Sequence, residues 1–97
     1  MSLSILIPCR NEEKNIIDTI NYLVKNLKTI EFEILLINDF SNDNTLRVIK
    51  QISKKNSRVR YFNNLKPGLG SVISNGIKKA KKKYVCIYMA DKSDNYK

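Results

Sequence analysis

Acidic residues and their polar companions gather at three places in this 97-residue chain. The first is Pro8-Cys9-Arg10-Asn11-Glu12, the second Asn38-Asp39-Phe40-Ser41-Asn42-Asp43, the third Met89-Ala90-Asp91-Lys92-Ser93-Asp94. Five of the nine Asp and Glu residues fall in these stretches, which is not how acids scattered over a surface are distributed. A carboxylate so placed accepts the ring N–H of uracil or guanine, or a ribose hydroxyl. Asp91 and Asp94 are three apart, so a turn between them lets both face one hard divalent ion, Mg2+ or Mn2+, of the kind that bridges a diphosphate. Such an ion neutralises charge growing on a leaving nucleotide. Together these parts suit group transfer from a nucleotide-diphosphate donor. The chain has no His, and neither Cys9 nor Cys86 has a CxxC partner. That argues against a zinc site and a His-activated nucleophile, and both thiols read as free and buried.

What must position these stretches is an alternation of short apolar runs with longer segments of helical period. Leu3 to Pro8 is apolar and β-branched, and Asn11-Glu12-Glu13 supplies a cap and first-turn acids for a helix. Ile16, Ile20, Leu23 and Leu27 then mark one helical face. Phe32 to Asn38 holds the run Ile34-Leu35-Leu36-Ile37, whose lack of polar alternation predicts a strand buried on both faces. Ser41 to Thr45 opens a second helix, with Leu46, Ile49 and Ile52 inward. Arg58 to Phe62 reads as a third strand, and Pro67-Gly68-Leu69-Gly70 as tight punctuation before a third helix. That helix carries Leu69, Val72, Ile73, Ile77 and Ala80 on one side, and Tyr84 to Met89 reads as a fourth strand. The order βαβαβαβ predicts an open, mostly parallel α/β sheet with right-handed crossovers and helices on both faces. Ligands of such sheets bind beyond the carboxyl ends of the strands, and the three acidic stretches all fall there.

Each feature also has a plainer reading. Glu12 and Glu13 complement a helix dipole, Ser41 and Asp43 cap a helix, and Asp91 and Asp94 serve as loop acids. Asp39 resists this treatment, because it ends an apolar strand without opening a helix. The formal charge of +9 permits an anionic partner without establishing one. Lys78, Lys79, Lys81, Lys82 and Lys83 read first as the last turn of the third helix, where cations suit the dipole. An anionic membrane surface is the second reading of that run. Nucleic acid is not expected, since no aromatic is interleaved for base stacking. No basic leader precedes the first strand and no apolar run approaches the roughly 20 residues of a membrane span, so the expected location is the cytoplasm, or the cytoplasmic face of a membrane.

The motifs resemble those of glycosyltransferase family 2. Ser4-Ile5-Leu6-Ile7-Pro8-Cys9-Arg10-Asn11-Glu12-Glu13 is similar to its opening strand and turn, and Ile37 to Thr45 to its Asp-containing second motif. Gly68-Leu69-Gly70 with Asn75-Gly76-Ile77 resembles its third helix, and Tyr84 to Asp94 the strand bearing its DxD metal motif. The resemblance, in flavour that of polyprenyl-phosphate sugar transferases related to dolichol-phosphate mannose synthase, implies a Rossmann-like GT-A fold and an inverting transfer in glycan or cell-envelope synthesis. It implies that Pro8, Arg10 and Glu12 line the base and ribose pocket, that Asp39 with Ile37 beside it contacts the base, and that Met89 and Ala90 border the sugar nucleotide. Asp91 would be the metal ligand, and Asp94 would compensate for Met89, which stands where the first DxD carboxylate is expected. The expected partners are a UDP- or GDP-linked sugar donor and a polyprenyl phosphate or glycan acceptor. Residues 1–97 are expected to be one partial domain, its catalytic base and acceptor half lying downstream, and an exposed sheet edge predicts self-association. Two rival classes remain: a catalytically inactive α/β module that binds a nucleotide or a partner, and a basic peripheral protein binding lipid or nucleic acid. Nucleotide titration separates the last from the others, and sugar transfer separates the first two.

Overall fold

A strand without polar alternation needs cover on both faces, and the stretch Glu31–Asn38 receives it, with every residue from Phe32 to Asn38 buried. The computed structural model describes residues 1–89. In chain order these form β1 (Ser2–Cys9), α1 (Ile16–Asn26), β2 (Glu31–Asn38), α2 (Thr45–Lys55), β3 (Val59–Asn63), α3 (Leu69–Lys79) and β4 (Tyr84–Ile87). The four strands make one sheet in the order β3-β2-β1-β4, every pairing parallel, with Ile5 opposite Ile34 and Cys86, and Leu36 opposite Tyr61. The α/β architecture read from the sequence is the one observed.

Alternate residues of the strands divide the core in two. Ile5, Ile7, Cys9, Ile34, Leu36 and Val59 face α1 and α2, meeting Ile16, Ile20, Leu23 and Ile49. Leu6, Leu35 and Ile37 face the other way and pack on Val72 of α3. Each such side chain withdrawn from water contributes about 1.5–3 kcal/mol, which is what holds three 11-residue helices that would be marginal alone. Among the described residues no helix is long and apolar enough to cross a membrane.

Four local expectations are corrected. Asn11-Glu12-Glu13 does not open α1: Asn11 is left-handed, with φ 54°, and cannot sit in a right-handed helix. The carbonyl of Glu12 instead accepts the N–H groups of Asn15 and Ile16, and the helix starts there. The inward side of α3 is centred on Val72 and Gly76, while Leu69 and Ile77 are 49% and 56% exposed. Gly76 explains the turn, since a Cβ on it would lie 2.6 Å from Leu6 Cδ1 and 3.1 Å from Ile37 Cδ1, so only a bare backbone lets the helix come this close. Of the lysine run, only Lys78 and Lys79 belong to the last turn of α3. The N–H groups of Lys81, Lys82 and Lys83 donate to Glu33 Oε2 (2.6 Å), Ser4 Oγ (3.1 Å) and Ser2 Oγ (3.0 Å), pinning the connection across the foot of the sheet. Lastly, Cys9 is buried but Cys86 is exposed, because among the described residues β4 is the edge strand and no helix covers it.

Glu33 is the anchor of that pin. Its buried carboxylate accepts from Ser4 Oγ (2.6 Å) and from Arg60 Nη2 (2.8 Å) as well as from Lys81. Burial, the strongest single influence, pushes the carboxyl up. The Ser4 hydroxyl, the Lys81 N–H and the Arg60 guanidinium together outweigh it and hold the group below its ordinary value.

Candidate functional site

The carboxyl ends of β1 and β2 lie side by side, and the loops that leave them are stitched together. The carbonyl of Cys9 accepts the Asp39 N–H at 2.8 Å and the Ser41 hydroxyl at 3.3 Å. Ser41 Oγ accepts the Asn11 N–H (3.1 Å), and Asn11 Oδ1 accepts the Asn42 N–H (2.7 Å). Further along, Thr45 Oγ1 accepts the Glu12 N–H (2.8 Å) and Glu13 Oε1 accepts the Asn44 N–H (3.2 Å). The N-cap position of α2 is Asn44; Asp43, one residue before it, accepts both the N–H and the hydroxyl of Thr45, the first residue of the helix. Burial, the strongest single influence, pushes the Asp43 carboxyl up, but the bonds from Thr45 and the contacts with Glu13 hold it below its usual range.

Two residues of this junction have left-handed backbones, Asn11 at φ 54° and Phe40 at φ 57°. Asn tolerates that region, whereas a Phe there is an outlier held by its surroundings, and such residues cluster at functional sites. Phe40 is also 47% exposed, so its ring is not held there by the core.

Asp39 lies at the centre. It is 7% exposed, and its Oδ1 accepts from Asn64 Nδ2 at 2.9 Å and from the Gly68 N–H at 3.1 Å. Gly68, at φ 111°, is the residue that caps α3, so the carboxylate that directly follows β2 sits at the positive end of that helix. Asp39 therefore joins β2 to α3 whatever else it does. Its Oδ2 makes only a longer approach to the Gly68 N–H, 3.4 Å, and remains the less engaged oxygen. Neighbouring Asn38 donates to Asn63 Oδ1 (3.1 Å), and its own Oδ1 is buried with no hydrogen-bond partner among the described residues.

The residues singled out from sequence divide as follows. Pro8 is half-buried and opposite Ile37 in register, Arg10 is exposed, and Glu12 is half-buried with Oε1 accepting from Asn15 Nδ2 (3.2 Å). These and Asp39 share the carboxyl edge. The Ile37 side chain is fully enclosed against Leu6 and α3 and so works in the core. Met89 is exposed just beyond β4, on the far side of β1 from Asp39. Ala90, Asp91 and Asp94 lie outside the described residues. Among the described residues no three Asp, Glu, Cys or His side chains are grouped to hold a metal ion. The thioether of Met89 is a soft donor, unsuited to Mg2+ or Mn2+. The sequence reading missed Asn64, although the polar pair Asn63-Asn64 closes a strand at the same edge and the strand-end argument applied to β3 would have found it.

The sequence model of glycosyl transferase family 2 matches residues 4–95. The chain is 34% identical over 90 residues to the poly-beta-1,6-N-acetyl-D-glucosamine synthase of Staphylococcus epidermidis, covering 92% of this chain and 21% of that protein. Among solved structures, S. aureus TarS (residues 1–349) in complex with UDP-GlcNAc superposes with a TM-score of 0.79 at 26% identity, over 94% of this chain and 27% of that one. The mannosyltransferase PcManGT from Pyrobaculum calidifontis, in complex with GDP-Man and Mn2+, reaches a TM-score of 0.78 over 92% of this chain and 27% of that one; at 15% identity it speaks for the fold alone. The chain thus spans about a fifth of the length of the curated relatives it matches.

Proposed function

The chain belongs to glycosyl transferase family 2, and from that premise we propose that it forms the donor-binding part of an inverting glycosyltransferase that draws its sugar from a UDP- or GDP-linked donor. The observation that carries this reading is the junction of the β1 and β2 loops, which holds Asp39 buried at the carboxyl edge with Oδ2 the less engaged of its two oxygens. An oxygen so placed suits the ring N–H that uracil and guanine both offer and that cytosine lacks. Pro8, Arg10 and Glu12, on the neighbouring loop, are assigned to the base and ribose. Met89 and Ala90 are assigned to the sugar-nucleotide side. UDP is the first ligand to try, because TarS, similar to this chain over 94% of its length, was solved with UDP-GlcNAc.

The acceptor is assigned to the class of polyprenyl phosphates or glycans, and the chain to the cytoplasm or the cytoplasmic face of a membrane, where Lys78 to Lys83 would meet anionic lipid. Residues 1–97 are read as one partial domain. A divalent ion on Asp91 and Asp94 would, when bound, offset charge on the nucleoside diphosphate. Calorimetric titration of the chain with UDP and GDP, with and without Mn2+, tests the proposal. Uptake of either nucleotide that is weakened about tenfold or more by Asp39→Ala supports it. Equal affinity in Asp39→Ala and the parent chain would sink it.

A further inference from the structure

Asn64 is buried at the end of β3, 5% exposed, and it has no place in the family motifs quoted above. Every hydrogen-bonding position of its side chain is nonetheless in use. The two hydrogens of its Nδ2 are shared among Asp39 Oδ1 (2.9 Å), the Lys66 carbonyl and, at the longest distance, the Gly68 carbonyl (3.2 Å). Its Oδ1 accepts from Ser71 Oγ (2.8 Å), Asn75 Nδ2 (3.0 Å) and the Leu65 N–H (3.1 Å). Its backbone N–H donates to the Asn38 carbonyl (2.8 Å). One amide thus touches β2, the turn Leu65 to Gly68, and two successive turns of α3.

We infer that Asn64 is a positioning residue for nucleotide recognition, acting through Asp39; the inference rests on the donor-binding reading above. The Asp39 carboxylate has two equivalent oxygens and a side-chain torsion with broad wells, so nothing intrinsic to it fixes the plane in which its free oxygen is presented to a ligand. The Asn64 amide and the Gly68 N–H both bond Oδ1, and two donors on one oxygen remove that freedom. Oδ2 is left as the acceptor. A lone-pair direction defined in advance lowers the ordering needed when a base docks, which is the general route from rigidity to affinity. The donor character of Nδ2 is therefore what matters to the ligand, while Oδ1 of Asn64 serves the fold by holding Ser71 and Asn75.

That division makes the inference testable. Asn64→Asp keeps the size and the acceptor but replaces the donor with a second carboxylate facing Asp39. Affinity for UDP, measured by calorimetry on the whole chain, is expected to fall about tenfold or more in Asn64→Asp and in Asn64→Ala. It is expected to recover in Asn64→Asp as pH is lowered and the introduced carboxyl regains a proton to donate, while the parent chain shows no such gain. In an Asp39→Asn background, Asn64→Ala should change UDP affinity less than about twofold, since coupled residues do not add. Circular dichroism establishes that each variant is folded, and should Asn64→Ala not fold, the pH response of Asn64→Asp decides. A folded Asn64→Ala that binds as tightly as the parent, full additivity in the double variant, or an Asn64→Asp affinity indifferent to pH each overturns the inference alone. A parent chain that takes up neither UDP nor GDP overturns the donor-binding reading and this inference with it.

Discussion

β2 and β4 are written in the same kind of residue, Ile34-Leu35-Leu36-Ile37 in one and Tyr84-Val85-Cys86-Ile87 in the other, yet the first is sealed on both faces and the second is open on both. Register puts Val85 and Ile87 on the face that carries α3, beside Ser4 and Leu6, but α3 packs chiefly on β1 and β2 and leaves both exposed. Tyr84 and Cys86 point to the other face, where α1 and α2 cover the inner strands. Place in the order β3-β2-β1-β4, and not residue type, decides which apolar run becomes core.

The two thiols divide the same way and give the largest expected contrast. Cys9 is enclosed in β1, and burial, helped by the nearby Glu12 charge, pushes its thiol up to about 12. Burial pushes the Cys86 thiol up as well, but that side chain lies open to solvent. A disulfide reagent at neutral pH should label Cys86 in the native chain and Cys9 about a hundredfold more slowly, or only after denaturant is added; equal rates would break the comparison. Truncation comes next. Leu36→Ala in β2 should lower stability by about 2–5 kcal/mol in urea titrations, against less than about 1 kcal/mol for Ile87→Ala in β4.

Glu33 sharpens the contrast, because it belongs to β2 but pins the connection that delivers β4. Its folded value lies below 4.5, so its contribution is complete above that pH and is lost as pH falls through the depressed value. Thermal melts from neutral to acid pH should show this loss, and Glu33→Gln, less stable by about 1–3 kcal/mol at neutral pH, should show a flatter profile over the same acid range. The smallest effect concerns β4 itself. Its outer edge, unpaired among the described residues, is expected to promote weak self-association at high concentration, reduced by Val85→Lys. Light scattering that reports a monomer throughout would remove β4 from consideration as a pairing edge.

The fold was readable because each apolar run had one period and α1 kept its inward residues Ile16, Ile20 and Leu23. Ile77 was misread because helical period cannot see that a neighbouring glycine brings the backbone down and rolls its own side chain outward. Asn11 suited a helix start by type, and only its left-handed backbone shows it bridging to Ser41 and Asn42 instead. Of the candidate site, Asp39 stood out because it closed an apolar strand. Asn64 did not, because its importance lies in contacts with residues 25 positions before it and 7 and 11 after it, which no local pattern contains.

Gly76 has a reach beyond its own contacts. It is the point at which α3 rests on Leu6 and Ile37, and it lies eight residues, about 12 Å of helix, from the Gly68 N–H that meets Asp39. A methyl group there would act as a wedge under a lever. Tilting the rod at its resting point swings the far end, so side-chain size at position 76 becomes a gauge for how squarely the edge around Asp39 is set, with no atom of the wedge near that edge.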